Sequence, residues 1–394
     1  MIRLAASQNR LDDRAERPPV QVRAVHWADV CAPWRVTTPL RALSRFGYVL
    51  TEATVGQPCD LDGVDLLLLH RPNQRESLAL IDEARRRGIV SVADVDDLFL
   101  PGLLPEHAPF TRNWDPLFHR WEAEEQVALG LKGTEAIAAA PRNEVMERFH
   151  ACLAAVDAVT VSTPELAEAY RQFNPNIFVL PNYYDDRNPL WQLKPPPRAG
   201  VNLGFYGTDH HEDNLQELRG VLEGVLRRHP ETSVVEAGGP ALLPRVDAPA
   251  AQLVHLGSLP FEVFPLLLLQ MDVVLAPLAD EPFMRCKSNI RCMTAGLARA
   301  PVVASPVGPY REYVRPGFNG FLADTADEWE EHLERLVGDA ERRRATGEGN
   351  RRSAEPYAIS VNAWQWVSVY DELLGRDRGA RSAAPVAGHA AGAA

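Results

Sequence analysis

Long apolar runs are missing from this 394-residue sequence. No stretch of about 18 apolar residues occurs, so no membrane-spanning helix is expected. Peripheral contact with a membrane stays open. Cysteine is scarce, with five residues (Cys31, Cys59, Cys152, Cys286 and Cys292) and no C-x-x-C spacing. An odd count without paired spacing argues against a disulfide framework or a structural zinc site. Basic excess is absent too. Lys and Arg number 41 against 53 Asp and Glu, a net charge of −12. A chain of that charge is a poor candidate for gripping nucleic acid over a broad surface, although a local basic cleft remains open. Residues 1–19 lack the apolar core of a signal peptide, which makes the cytoplasm the simplest address.

Several motifs are also missing. There is no G-x-S-x-G elbow, no H-E-x-x-H helix and no G-x-x-x-x-G-K-[ST] loop. This counts against serine hydrolases, zincins and P-loop enzymes. No G-x-G-x-x-G follows the first apolar strand, which counts against a dinucleotide oxidoreductase.

What is present is alternation. Short apolar runs at 22–26, 48–53, 64–69, 89–93, 157–162 and 177–180 read as strands, with amphipathic helices at 38–46, 77–87 and 164–173. The run VDLLLL at 64–69 is continuous, as in a strand buried on both faces of a parallel sheet. Residues 181–200 are rich in Pro, Asn and Asp, and prolines 195–197 make a stiff piece. Alternation then restarts, with strands at 201–206, 232–237, 253–256, 272–276 and 301–304. Helices follow at 213–229, 260–270, 288–298, 325–337 and 359–374. The spacing predicts an α/β protein of two doubly wound Rossmann-like domains, at 20–185 and 201–357, joined by a linker at 186–200. Ligands of such sheets bind outside the carboxyl ends of the strands, so a cleft between the domains is expected to hold the site. Residues 99–150, with Trp114, Phe118 and Trp121, read as a helical insertion over the cleft mouth or as a buttress. Both ends, 1–19 and 376–394, read as disordered.

Four segments carry candidate chemistry. Gly207 and Thr208 form a glycine turn after a strand, followed by His211, and such a turn admits a close ligand. It is equally a plain tight turn with exposed histidines. Arg285, Lys287, Ser288, Asn289 and Arg291 surround a helix start, with Ser288 as N-cap. Three cations there suit a diphosphate, and the same residues suit a capped, solvated helix end. Gly308, Pro309 and Tyr310 sit in another strand-to-helix loop, where amides can meet a sugar or where Pro309 simply opens the helix. Asp94, Asp96 and Asp97 end a strand, and can bind a cation, hold sugar hydroxyls, act as a base or cap a helix. Arg35 and Arg71 also follow early elements and can reach anionic groups.

The run KSNIRCMTAGLARAPVVASPVGPYREYVRPGFNGFLA at 287–323 resembles the donor-binding segment of GT-B glycosyltransferases of the large retaining family four. The upstream GFYGTDHHEDNL resembles the G-[FY]-x-G-T-x-x-H segment of the same group. Pro33-Trp34-Arg35, the segment 88–97 and VTVSTPELAEAY followed by VLPN extend the likeness over residues 20–375. The resemblance implies transfer of a sugar from a nucleoside-diphosphate sugar, UDP- or GDP-linked, to a hydroxyl acceptor, with retention. No tightly bound cofactor or metal is implied. His211 and Lys287 would be catalytic. Gly207, Thr208, Arg285, Lys287, Ser288, Asn289, Arg291, Thr294, Gly308, Pro309 and Tyr310 would bind donor. Arg35, Arg71, Asp96 and Asp97 would bind acceptor. A C-terminal helix at 358–375, carrying Trp364, Trp366 and Tyr370, would cross back to the first domain.

This sequence departs from the family pattern. Members often carry two glutamates eight residues apart, and those positions are Cys286 and Thr294 here. The glycine usual two residues before the P-V-V-A-S strand is Arg299. The departures keep two other readings open: a non-catalytic scaffold that binds a sugar nucleotide or partner protein, and a sugar-nucleotide epimerase or hydrolase.

Overall fold

The computed structural model describes residues 18–27, 29–100, 103, 144–207, 218–238 and 243–375. Most of the expected insertion at 99–150 and both expected disordered ends lie outside the described residues.

Two parallel six-stranded sheets form the molecule. The first has the order β2-β1-β3-β4-β5-β6. Its strands are β1 (Val20–His26), β2 (Tyr48–Thr54), β3 (Leu66–His70), β4 (Val90–Val95), β5 (Ala158–Val161) and β6 (Ile177–Val179). The second sheet has the order β12-β11-β10-β7-β8-β9. It comprises β7 (Asn202–Gly207), β8 (Ser233–Gly238), β9 (Leu253–Leu256), β10 (Val273–Ala276), β11 (Val302–Ala304) and β12 (Gly320–Leu322). The expected α/β class, two doubly wound Rossmann-like units facing a cleft, is what the chain adopts. Continuous apolar strands explain it: all five residues of β3 and all four of β10 are buried, so each needs helices on both faces.

The helices that matter for the site are α1 (Arg75–Arg87), α2 (Glu144–Ala155), α3 (Pro164–Tyr170), α4 (Arg219–Arg228), α5 (Ile290–Leu297), α6 (Pro309–Tyr313), α7 (Ala326–Gly338), α8 (Ala340–Ala354) and α9 (Trp364–Leu373). α1 ends at Gly88, whose φ of 71° closes the helix in the left-handed conformation. α7 starts with a reciprocal capping box between Thr325 and Glu328. The helix expected at 38–46 is a composite, a π-turn over Pro33–Thr37, a short α-helix over Thr38–Ala42 and a 3-10 turn over Leu43–Phe46.

α8 and β12 stand where no element was expected from periodicity. α8 packs on α5, and its buried face includes Gly347, Gly349 and Asn350. A Cβ at Gly347 would lie 2.0 Å from the Arg299 carbonyl oxygen, and one at Gly349 1.8 Å from that of Phe318. Glycine lets this polar helix approach backbone closely, which leaves no apolar stripe to read.

α9 returns to the first sheet. Trp366, Val367 and Tyr370 are buried among Val20, Leu40 and Tyr48. The Tyr48 hydroxyl donates to Asp371 Oδ1 at 2.6 Å in the interior. The two halves also touch directly, as Trp34 meets Phe261 edge to face at 4.9 Å between ring centres.

Candidate active site

The carboxyl ends of both sheets face a shared cleft of about 1500 Å³. Single-ligand pockets run to roughly 300–1,000 Å³, so this cleft has room for two substrates side by side.

The C-terminal wall rises from the ends of β7 and β8 and the start of α5. Gly207 and Gly238 lie at paired strand ends. Gly238 has φ 104°, and a Cβ there would stand 2.3 Å from the Gly207 carbonyl oxygen. Only glycine keeps that floor open. Arg291 lies over the rings of Phe205 and Tyr206, at 4.8 and 5.7 Å from their centres. Its side chain lines the cleft yet is only 6% exposed, and Nη1 has no hydrogen-bond partner among the described residues. A buried guanidinium with an unmet donor is poised for an acceptor atom from a ligand. Lys287 stands one turn away, with Nζ 4.3 Å from the Phe283 ring centre and 2.5 Å from Asp97 Oδ1. Tyr310 also lines the cleft, and burial pushes its hydroxyl up to about 12, so it stays a neutral donor.

The other expected donor residues are placed differently. Thr294 is fully buried. Its hydroxyl donates to the Ile290 carbonyl at 2.8 Å and meets the Tyr206 hydroxyl at 2.5 Å, so it is turned away from any ribose. Arg285 forms an exposed pair with Asp280 at 2.6 Å and is not on the cleft surface. Asn289 donates to the Tyr357 hydroxyl at 2.9 Å, and Asn289 rather than Ser288 is the N-cap residue of α5. Ser288 does line the cleft and accepts from Asn182 Nδ2 at 2.9 Å, a bond between the two halves. Gly308 and Pro309 stand behind Tyr310. Gly308 has φ 54°, and a Cβ would lie 2.7 Å from the Arg285 carbonyl oxygen. Thr208 and His211 lie outside the described residues.

Position 286, where family members often carry a carboxylate, holds a buried thiol. Burial, with Glu165 and Asp97 nearby, pushes Cys286 up to about 12. It is a neutral thiol at physiological pH, unsuited to nucleophilic work. Its carbonyl accepts from Thr163 Oγ1 at 3.1 Å, another tie between the halves.

On the N-terminal wall, Arg71 is the centre. Its Nε donates to Asp96 Oδ1 at 2.6 Å, Nη1 to Asp29 Oδ2 at 3.2 Å and Nη2 to Asp97 Oδ2 at 3.2 Å. Nη2 also reaches Cys31 Sγ at 3.0 Å. The backbone of Arg71 has φ 50°, an unusual value for a side chain of this size. Such strain marks positions that the surroundings hold in place. Burial opposes charge on Asp96, yet Arg71 and His70 outweigh it and hold the carboxyl well below its usual range. Asp29, Asp96 and Asp97 thus converge on one guanidinium, and Lys287 reaches Asp97 from the opposite wall.

Arg35 requires a correction. It is completely buried and donates from Nε and Nη2 to Asp94 at 2.9 and 2.7 Å. Nη1 donates to the Leu180 carbonyl at 2.6 Å and Asn182 Oδ1 at 3.1 Å. It braces β4 and the end of β6 from inside and does not reach an acceptor. The carboxylate run splits accordingly: Asp94 points inward, and Asp96 and Asp97 line the cleft. Asp29, Trp27 and Phe261 line the cleft without having been anticipated. Their signal was weak, a polar turn after β1 and single aromatics, one of them at the start of a short helical turn.

Comparison with known proteins agrees with this architecture. Residues 200–339 match the family described as Glycosyl transferases group 1. Sucrose-phosphate synthase from Thermosynechococcus elongatus superposes with a TM-score of 0.61 at 15% identity, over 91% of this chain and 100% of that one. Anabaena HepE in complex with UDP gives 0.56 at 14% identity, over 90% and 100%. A glycosyltransferase from Rickettsia africae gives 0.57 at 12% identity, over 91% and 99%. No curated protein matches the sequence. The chain therefore has the GT-B fold, and residues 200–339 carry the likeness to the group 1 glycosyl transferases. No helix among the described residues is long and apolar enough to cross a membrane.

Proposed function

We propose that the protein moves a sugar, with retention, from a nucleoside-diphosphate sugar to a hydroxyl of an acceptor held on the N-terminal wall. The observation that carries this reading is the pair of cations at the start of α5. Lys287 and the incompletely bonded Arg291 face the cleft beside the glycine floor of β7 and β8. Breaking the bond between sugar and diphosphate places negative charge on the leaving oxygen. Fixed cations in a partly dry cleft stabilise that charge in the transition state more than in the ground state. The Gly207–Gly238 floor admits the nucleotide backbone closely, and Tyr310 and Ser288 offer neutral hydrogen bonds to the sugar. Asp96 and Asp97 accept from acceptor hydroxyls and orient them. Retention rests on the likeness of residues 287–322 to the retaining family. UDP is the first nucleotide to test, because HepE is recorded with UDP and with UDP-glucose.

The test is a thermal-shift series with UDP, GDP, ADP, CMP and dTDP, with and without magnesium or a chelator. One nucleoside diphosphate should raise the melting temperature, by about 2.7 kcal/mol of stabilisation at a hundredfold excess over its dissociation constant. Arg291→Met and Lys287→Ala should abolish most of that shift. Absence of a shift with every nucleotide counts against the reading. Acceptor-independent release of free sugar as the main product would make the protein a hydrolase instead.

A further inference from the structure

A second cavity, of about 620 Å³, opens beside the cleft in the N-terminal half. Its position follows from the sheet order. From β1 the chain moves outward to β2, then back across β1 to β3. The connections leaving β1 and β3 therefore part, which makes a crevice at the carboxyl ends. Val25 of β1 and Leu69 and His70 of β3 form its floor, with the loop after β2 on one side and the start of α1 on the other. Arg71, Gln74 and Glu76 line both this cavity and the main cleft, so the two are neighbours across one rim.

His70 singles the crevice out. The side chain is 1% exposed, yet neither ring nitrogen has a hydrogen-bond partner among the described residues. Nε2 lies 3.5 Å from Asp96 Oδ1, on the cleft side of the wall. Unmet buried polar atoms are costly, and a ligand hydroxyl would relieve them. The charges indicate what kind of ligand. Arg86 is held by Glu83, and Arg71 by Asp96 and Asp97. Among the described lining residues Arg71 and Arg86 are matched by Glu76 and Glu83, so the crevice carries no positive excess to draw a phosphate or carboxylate. Hydrogen-bonding groups of His70, Gln57 and Ser77 line it together with the apolar surfaces of Val25, Leu69 and Pro72. Hydroxyls over a partly apolar ring face are the chemistry of an uncharged sugar.

We propose that this crevice is a distal acceptor subsite, holding a neutral sugar unit of an acceptor chain while the reacting hydroxyl lies beside Asp96 and Asp97. The acceptor is then an oligosaccharide or glycosylated molecule longer than one sugar. This inference rests on the transferase reading above.

The experiment uses the full chain saturated with its nucleoside diphosphate. Neutral mono-, di- and trisaccharides of glucose, galactose, mannose and N-acetylglucosamine are titrated by calorimetry and saturation-transfer NMR. At least one oligomer should bind more tightly than its monomer. Ala79→Trp places an indole in the crevice from α1, far from the donor wall. It should remove that extra affinity, about tenfold or 1.4 kcal/mol, and leave the nucleotide shift intact. Gln57→Trp, from the opposite wall, gives the same readout if Ala79→Trp does not fold. No oligomer exceeding its monomer on the wild type, or undiminished oligomer binding in a folded crevice variant, overturns the subsite. A wild type that binds no nucleoside diphosphate overturns the underlying transferase reading, which is a separate outcome.

Discussion

Lys287 Nζ and Asp97 Oδ1 meet at 2.5 Å across the cleft, so a cation of the C-terminal wall is held by a carboxylate of the N-terminal wall. Both side chains are about seven-eighths buried, at 14% and 13% exposure, so screening by water is limited. A diphosphate entering the cleft must compete with Asp97 for the same ammonium. On the proposed function the pair would couple nucleotide binding to the separation of the two halves, because Asp97 also belongs to the Arg71 cluster.

The first prediction follows from that competition. Asp97→Asn removes the rival carboxylate and a repulsive charge, so UDP should bind about tenfold more tightly, or 1.4 kcal/mol. Transfer should nonetheless slow, because the acceptor hydroxyl loses a partner. Lys287→Ala should weaken UDP and lower kcat by about 10²–10³, the usual cost of removing one stabilising group at a developing anion. Calorimetry with UDP and initial rates on both variants decide this. Weaker UDP binding in Asp97→Asn would contradict it.

The contrast between Arg35 and Arg71 shows what the sequence conveyed and what it did not. Both arginines follow early elements and both looked able to reach an anion. Parallel strands such as Leu66–His70 were legible because a continuous apolar run leaves few alternatives. Whether an arginine ends inside the core or in the cleft depends on contacts over a hundred residues away, here Leu180 and Asn182, which no local pattern encodes. That Lys287 and Arg291 share one wall of the cleft was legible because they lie about one helix turn apart. Thr294, next on the same helix, turns inward to Tyr206, whose position is set by a different strand. α8 escaped notice because its contact face is made of glycine and polar residues.

Arg35 gives the second prediction. Removing it strands Asp94, which is 1% exposed. Arg35→Met should lower unfolding free energy by about 3–5 kcal/mol, the cost of leaving a buried charge unpaired. Arg35→Met with Asp94→Asn should recover part of that loss, since the neutral amide is cheaper to bury. Urea denaturation of the three variants provides the measurement. A single variant as stable as the wild type, altered only in acceptor affinity, would restore Arg35 to the acceptor site.

The third prediction concerns Arg299, the residue found where the family pattern has glycine. Its φ is 61°, in the left-handed region that costs a side-chain-bearing residue about 1–2 kcal/mol. The partly exposed pair with Glu348, at 2.6 Å, returns only about 0–1 kcal/mol. Arg299→Gly should therefore melt at or slightly above the wild-type temperature. Arg299→Val, β-branched at the same φ, should melt lower. The reverse order in a thermal melt would show that the Glu348 pair outweighs the backbone term.

The last prediction is a pH dependence. Burial alone would raise the Asp96 carboxyl, but Arg71 and His70 hold it well below its usual range. A carboxylate with a depressed folded-state value stabilises the fold at every pH above its unfolded value, about 3.9. That contribution drains away as pH falls from there through the folded value. The stability difference between wild type and Asp96→Asn should thus be flat from neutral pH to about pH 4.5. Below that it should shrink, by no more than about 1.4 kcal/mol per pH unit, because one proton is involved. Denaturant melts of both proteins at a series of acidic pH values measure the curve. A difference that already shrinks between pH 7 and 5 would mean that Arg71 does not hold Asp96 charged and that another group governs the cluster.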